Sequence, residues 1–178
     1  MSNRTEFETF YNEFRSLELN KDYYAERAEQ AKKKLRRIDI ALAITGLISV
    51  VSGYGFWQTK VGDFPLGPIL LAIGLVIGAV LGAVRPYLKL EDEHARLSNM
   101  AGSYMAIAHV MQDVISDVKI EQNISESSRA IYRSLRQVKG SLSRNEDSPS
   151  DKELIKKLQD AVNRRHPPQS FYYPKDSE

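Results

Sequence analysis

"GPILLAIGLVIGAVLGAVRP", residues 67–86, decides the fold. From Ile69 to Val84 it holds no polar side chain, and glycine recurs every fourth residue at Gly74, Gly78 and Gly82. Inside a helix in water each of those glycines costs about 1 kcal/mol relative to alanine. In a bilayer the balance changes. Apolar side chains gain nothing by leaving lipid, so helices associate through close backbone contact, and small residues four apart form a ridge that allows it. Ala79 and Ala83 extend that ridge.

A second window of the same kind lies upstream. "IDIALAITGLISVVSGYGFW", Ile38–Trp57, carries Asp39 as its single charge, and Phe64–Val84 carries none. About 20 residues at about 1.5 Å each cover a hydrocarbon core of about 30 Å. The expectation is a two-span hairpin over residues 38–84, with spans at 38–57 and 64–84. A buried hairpin in a soluble bundle would need a protein shell that the remaining charged, amphipathic segments could hardly supply. The first span offers Ser49, Ser52 and Gly53 as a small-residue face. Whether the seam with Gly74, Gly78 and Gly82 joins the two spans of one chain or neighbouring chains stays open.

Flanking charge sets the orientation. "KKKLRR", Lys32–Arg37, precedes the first span, and Arg85 and Lys89 follow the second, whereas the connection carries Lys60 and Asp63. Positive charge stays on the cytoplasmic side, so both termini are expected there, with a very short external loop. Tyr54, Phe56 and Trp57 mark the outer interface, and Asp63 with Pro65 reads as the start of the second helix.

The rest of the chain is soluble in character. Over all 178 residues the mean hydropathy is −0.39, with 25 Lys and Arg against 23 Asp and Glu. Residues 1–37 carry 9 basic against 7 acidic side chains, residues 38–84 carry 1 against 2, and residues 85–178 carry 15 against 14. So even a balance gives no argument for a DNA or RNA polymer as partner. The chain has no cysteine, which excludes disulfides, thiol catalysis and thiolate metal sites and fits a reducing cytoplasm. No cleavable leader is expected, because the first apolar run begins only after a long charged segment.

Three cytoplasmic regions carry helical patterning. In residues 1–37, Phe7, Phe14, Ala28 and Leu35 share one heptad position; Phe10, Leu17, Tyr24, Ala31 and Ile38 share another, and Lys21 interrupts the first set. Thr5 with Glu8 reads as a capping box. In residues 85–178, Leu90, His94, Leu97, Ala101, Tyr104, Ala108, Met111, Ile115 and Val118 recur at helical spacing. Met100, Ile107 and Val114 widen that stripe, which suits a bundle better than a two-stranded coiled coil. Arg85-Pro86 predicts a kink between the second span and this helix. A shorter helix is expected over Ser127–Leu142, with Ile131, Leu135, Val138 and Leu142 inward. A polar linker over 143–150 follows, then a last helix opened by Ser150 and Glu153 with Leu154, Leu158, Ala161 and Val162 inward. The fold class is all-α: a transmembrane hairpin with a cytoplasmic helical bundle.

Chemistry is sparse. No Walker loop, dinucleotide fingerprint, nucleophile elbow or metal-spaced cluster occurs, so no catalytic residue, no metal and no cofactor is expected, and the chain is not read as an enzyme. His94 falls on the buried stripe as a polar contact between helices or, alternatively, a pH-responsive element; His109 lies on the solvated face. Asp39 lies just inside the interface, three residues after Arg36. It reads either as an interfacial ion pair with Arg36 or as a pore-mouth carboxylate. The tail "NRRHPPQSFYYPK" sets Arg164, Arg165, His166 and Lys175 beside Phe171, Tyr172 and Tyr173. Cations with aromatics can clamp a phosphate-bearing, base-stacking ligand such as a cyclic oligonucleotide; the alternative is a helix end whose aromatics pack on the bundle.

The layout resembles the SLATT family of bacterial two-transmembrane effectors. The resemblance is carried by a cytoplasmic helix ending in "KKKLRRIDIALAITG", a tight hairpin and a long helix leaving the membrane. It covers most of the chain, rests on layout, and transfers no residue by motif. It implies an oligomeric effector of antiviral defence in the bacterial inner membrane. A nucleotide second messenger, or a separate nucleotide-sensing or nucleotide-synthesising partner, would trigger it to permeabilise that membrane. No recognisable sensor domain is fused here. The other class open to this sequence is a non-conducting scaffold that recruits a soluble partner through its cytoplasmic helices.

Overall fold

The computed structural model describes residues 3–54, 60–61, 64–144 and 151–167. The fold is all-α: α1 (Asn3–Tyr54), α2 (Leu66–Val84), a 3₁₀ turn (Arg85–Leu88), α3 (Leu90–Glu121), α4 (Glu126–Ser143) and α5 (Lys152–Arg165). Between α1 and α2 two residue pairs, Lys60 with Pro65 and Val61 with Phe64, form a minimal antiparallel ladder. The chain divides into two compact units, one of Met1–Arg27 with Arg96–Glu178 and one of Ala28–Ala95. The divisions fall within α1 and α3; α1 runs unbroken across 37/38, where the composition shifts, whereas α2 ends at Val84.

The first unit is a helical bundle with a conventional core. Phe7, Phe10, Phe14, Leu17 and Tyr24 of α1 are buried, as are Leu97, Met100, Ala101, Tyr104, Ile107, Ala108, Met111, Val114, Ile115 and Val118 of α3. Every member of the α3 stripe within this unit is therefore inside. Tyr24 and Tyr104 stack with centroids 5.5 Å apart. Tyr11 and Tyr23 widen the buried face of α1 beyond the heptad set. Lys21 interrupts that set because it serves a neighbour: its Nζ lies 2.6 Å from Glu18 Oε1, and Glu18 is itself buried.

α4 and α5 attach to α1 differently from α3. Arg129 Nε donates to Glu6 Oε1 at 2.8 Å, Lys139 Nζ to Glu13 Oε1 at 2.6 Å, and Phe10 stacks on Tyr132 at 4.2 Å. That charged docking turns α4 away from the expected orientation. Leu135 and Leu142 are half-buried, but Ile131 and Val138 are exposed, since Ser128, Tyr132 and Lys139 occupy the packed face instead. Ser125 caps α4, accepting the Ser128 N–H at 3.1 Å. In α5, Leu154 and Val162 are buried and Leu158 and Ala161 half-buried. Its cap is Asp151, which accepts the Leu154 N–H at 3.1 Å; Ser150 and most of the expected linker lie outside the described residues. Thr5 and Glu8 sit inside α1, where Glu8 pairs with Arg4 at 3.5 Å rather than closing a capping box.

The second unit is a helical hairpin whose register is constant. His94 approaches Ala28, Arg85 approaches Asp39, Gly78 faces Thr45, and Lys60 pairs with Pro65. As one number rises the other falls in step, the signature of antiparallel neighbours. α2 starts at Leu66, so Pro65 stands just before the helix and Pro68 in its first turn, where a missing N–H is harmless. At the far end Pro86 sits in the 3₁₀ turn and Lys89 adopts a left-handed conformation with φ 44°. This is the interruption that Arg85-Pro86 predicts.

Candidate functional site

The glycine ridge of α2 is the first feature to build. Steps of four residues advance about 40° around a helix of 3.6 residues per turn, so the row winds as it climbs. Gly74 is buried, Gly78 half-buried and Gly82 exposed, while Leu71 and Leu81 complete the face toward α1. A Cβ at Gly78 would meet Thr45 Oγ1 at 3.5 Å, an ordinary contact, and one at Gly82 would meet nothing within 4 Å. Packing within the hairpin therefore requires glycine at neither position. Thr45 is the residue opposite Gly78. Ser49 and Gly53 lie on α1, and their surroundings fall outside the described side chains. Thr45 donates its hydroxyl to Leu42 O at 2.8 Å, which satisfies the group inside an apolar run. A hydroxyl at the residue facing Gly78 in the hairpin register was the signal available for it.

Around this ridge the hairpin is apolar outward. The helical run Pro68–Glu121 contains a window of mean hydropathy 2.2, of which 6% is buried. It is long and apolar enough to cross a membrane. Leu75, Val76 and Val80 are each more than half exposed, as is Leu47 on α1.

Charge closes one end of the hairpin. Asp39 pairs with Arg85 at 3.2 Å, and Arg85 also reaches Glu91 at 3.0 Å. The partner expected for Asp39, Arg36, is exposed on α1. The substitution has a physical reason: a cation three residues before an anion is the weaker arrangement on a helix, whereas the hairpin register delivers Arg85 from the second helix. Close by, His94 Nδ1 donates to Ala28 O at 3.0 Å, the polar contact between helices that its place on the stripe suggests.

The tail residues are occupied by carboxylates. Arg165 bonds to Asp22 and lies 3.5 Å from Glu18, and His166 Nε2 lies 3.8 Å from the same carboxylate. The His166 ring meets Phe14 edge-on at 4.9 Å. Burial pushes the imidazole below its usual value, with Glu18 acting against the shift and Arg165, Lys21 and Arg15 adding to it. Arg164 turns back to Asp160 O at 3.3 Å. Tyr172, Tyr173 and Lys175 lie outside the described residues. Two of the residues expected to hold an anion, Arg165 and His166, are thus drawn onto α1 by Asp22 and by Glu18, a buried acid that the heptad pattern passed over. Its spacing of three from Lys21 was the one legible sign. Among the described residues no group of three His, Cys, Asp or Glu side chains is placed to hold a metal ion.

No family model, curated protein or solved structure matches the chain.

Proposed function

We propose that this is an oligomeric membrane effector in which the C-terminal half of α1 and α2 cross the bilayer as a two-span hairpin. Both termini lie on the cytoplasmic side of a bacterial inner membrane. Copies associate through the outer part of the Gly74, Gly78 and Gly82 ridge, and a shift in the cytoplasmic helices rearranges the spans and makes the membrane leak. The observation that carries this reading is the outward apolarity of the hairpin: a window of hydropathy 2.2 with 6% of it buried. Water would penalise such a surface, at about 25 cal/mol per Å² of apolar area left exposed, and lipid would not. The ridge supports association because Gly82 is open and glycine there serves nothing inside the chain. The carboxylate partners of Arg165 and His166 favour a trigger delivered by a separate sensor protein over a nucleotide held by the tail.

A Gly82→Leu variant tests the mechanism. A leucine at that open position leaves the hairpin undisturbed, so flotation with liposomes should match the parent chain, while dye release should fall to background. Release at the parent rate from Gly82→Leu would remove the ridge from the mechanism. The assay runs with and without cyclic di-, tri- and tetranucleotides. A second reading, a non-conducting scaffold, draws on the exposed Ile131 and Val138 of α4. It requires that no condition gives release and that a soluble protein is retained by the cytoplasmic helices.

A further inference from the structure

At the charged end of the hairpin, Leu35 of α1, the 3₁₀ turn and the start of α3 line a half-open cavity of about 240 Å³. That is below the about 300–1,000 Å³ of pockets that engulf a drug-sized molecule, and it suits a headgroup rather than a whole lipid. Leu35, Pro86 and Leu90 form its apolar wall; Arg85, Lys89, Glu91 and Asp92 supply its charge. Two of these charges are already matched, since Arg85 lies between Asp39 and Glu91. Lys89 and Asp92 remain, both exposed, and neither has an ion-pair partner among the described residues. Lys89 is also held at φ 44°, where a residue with a side chain costs about 1–2 kcal/mol relative to right-handed backbone. Glycine or asparagine would relieve that strain, and the chain places a cation there instead. Strain kept at one residue points toward a role for its side chain.

The depth of the cavity follows from the two-span reading, on which this inference rests. Arg85 directly follows the last apolar residue of α2, and Leu35 sits inside the basic run Lys32–Arg37, so the cavity lies at the level of the cytoplasmic headgroups. The geometry points to a site for the headgroup of an ethanolamine phospholipid. Lys89 takes the phosphate, Asp92 takes the primary ammonium, and Leu35, Pro86 and Leu90 take the glycerol and first methylenes. The lining is balanced, two cations against two acids, and that balance selects the lipid. A glycerol headgroup offers Asp92 only neutral hydroxyl donors, without the charge assistance of an ammonium, and brings uncompensated negative charge toward Glu91. A choline headgroup has the charge but no N–H to give, and the charge-assisted hydrogen bond is the stronger part of such a contact.

The test uses the full chain in detergent, titrated separately with ethanolamine, glycerol and choline phospholipids of the same acyl chains, with bound lipid counted by native mass spectrometry. The ethanolamine lipid should bind about tenfold more tightly than either other, the scale of one charge-assisted hydrogen bond. Lys89→Gln and Asp92→Asn, both at exposed positions, should each erase the preference, and matching circular dichroism spectra would show the fold intact. Equal binding of the three lipids, preference for the glycerol lipid, or an unchanged preference in both variants overturns the site. Displacement of the lipid by equimolar glycerophosphoethanolamine would assign the cavity to a soluble compound and overturn it as a lipid site. Alkaline carbonate extraction separates the two levels: a chain that stays in the membrane without ethanolamine preference refutes this site alone, whereas a chain that washes out refutes the two-span reading as well.

Discussion

The two units of this molecule place the same kinds of side chain on opposite sides. In the bundle, Tyr104 and Met111 are fully enclosed; in the hairpin, Val76 is 63% and Leu47 65% exposed. Both units are helical and both use a period near 3.6, so secondary structure does not separate them. Exposure does. A bundle in water hides an apolar stripe and turns charge outward. A helix in lipid can leave its branched side chains outside and reserve its inner face for small groups; α2 exposes Leu75, Val76 and Val80 and sets Gly78 against Thr45. The polar atoms follow the same division: in the bundle they clamp α4 and α5 onto α1, and in the hairpin the ion pairs gather at one end, around Arg85.

The sharpest way to break this comparison is to truncate one apolar side chain in each unit. Phe10→Ala empties a buried site stacked on Tyr132 and should destabilise the bundle by about 3–5 kcal/mol, a large part of the stability of any small domain. Leu75→Ala, on the outward side of α2, should change it by less than about 0.5 kcal/mol. Thermal unfolding of the solubilised chain followed by circular dichroism reads both, and similar losses would mean that the hairpin surface is covered by protein.

Next in size is Val76→Lys, near the middle of α2. A lysine at the centre of a span costs about 2.5–3.5 kcal/mol of insertion, whereas on a water-exposed helix it would be nearly neutral. The fraction of chain recovered with membranes should therefore fall by about tenfold or more. Full recovery would place the outward face of α2 in water and dissolve the contrast between the two units.

Much of this contrast was legible in the sequence, and the exceptions share one cause. The α3 stripe was readable because burial there is apolar and periodic, and the two conditions coincide. α4 was misjudged at Ile131 and Val138 because its docking is polar: Arg129 and Lys139 choose the face, with Glu6 holding the Arg129 guanidinium further above its usual range. Asp39 was given Arg36, three residues before it, but the hairpin register supplies Arg85 from 46 residues away. Glu18 was invisible as a hub because its partners Arg165 and His166 come from the end of α5 and the residue after it. In each case apolar periodicity fixes which helices exist, while long-range ion pairs fix how they turn and what they leave free.

His166 is where that polar docking can be titrated, with the smallest effect of the set. Its imidazole is lowered chiefly by burial, so the folded chain favours the neutral ring, and the stability this contributes is present above the ordinary histidine value of about 6.5. That stability drains as pH falls through the folded-state value, when the ring must take a proton beside Arg165 and Lys21. Glu18, 3.8 Å away, softens the loss without reversing its sign. His166→Phe keeps a ring edge toward Phe14 and leaves the backbone bond from residue 166 to Val162 O at 2.8 Å in place. Between about pH 8 and about pH 5.5, a window that brackets the ordinary histidine value, the unfolding midpoint of the parent chain should decline. The variant should decline less. Equal slopes would mean that protonation elsewhere governs the docking of α5, and that the cluster around Glu18 holds α5 by charge alone, indifferent to the state of the histidine.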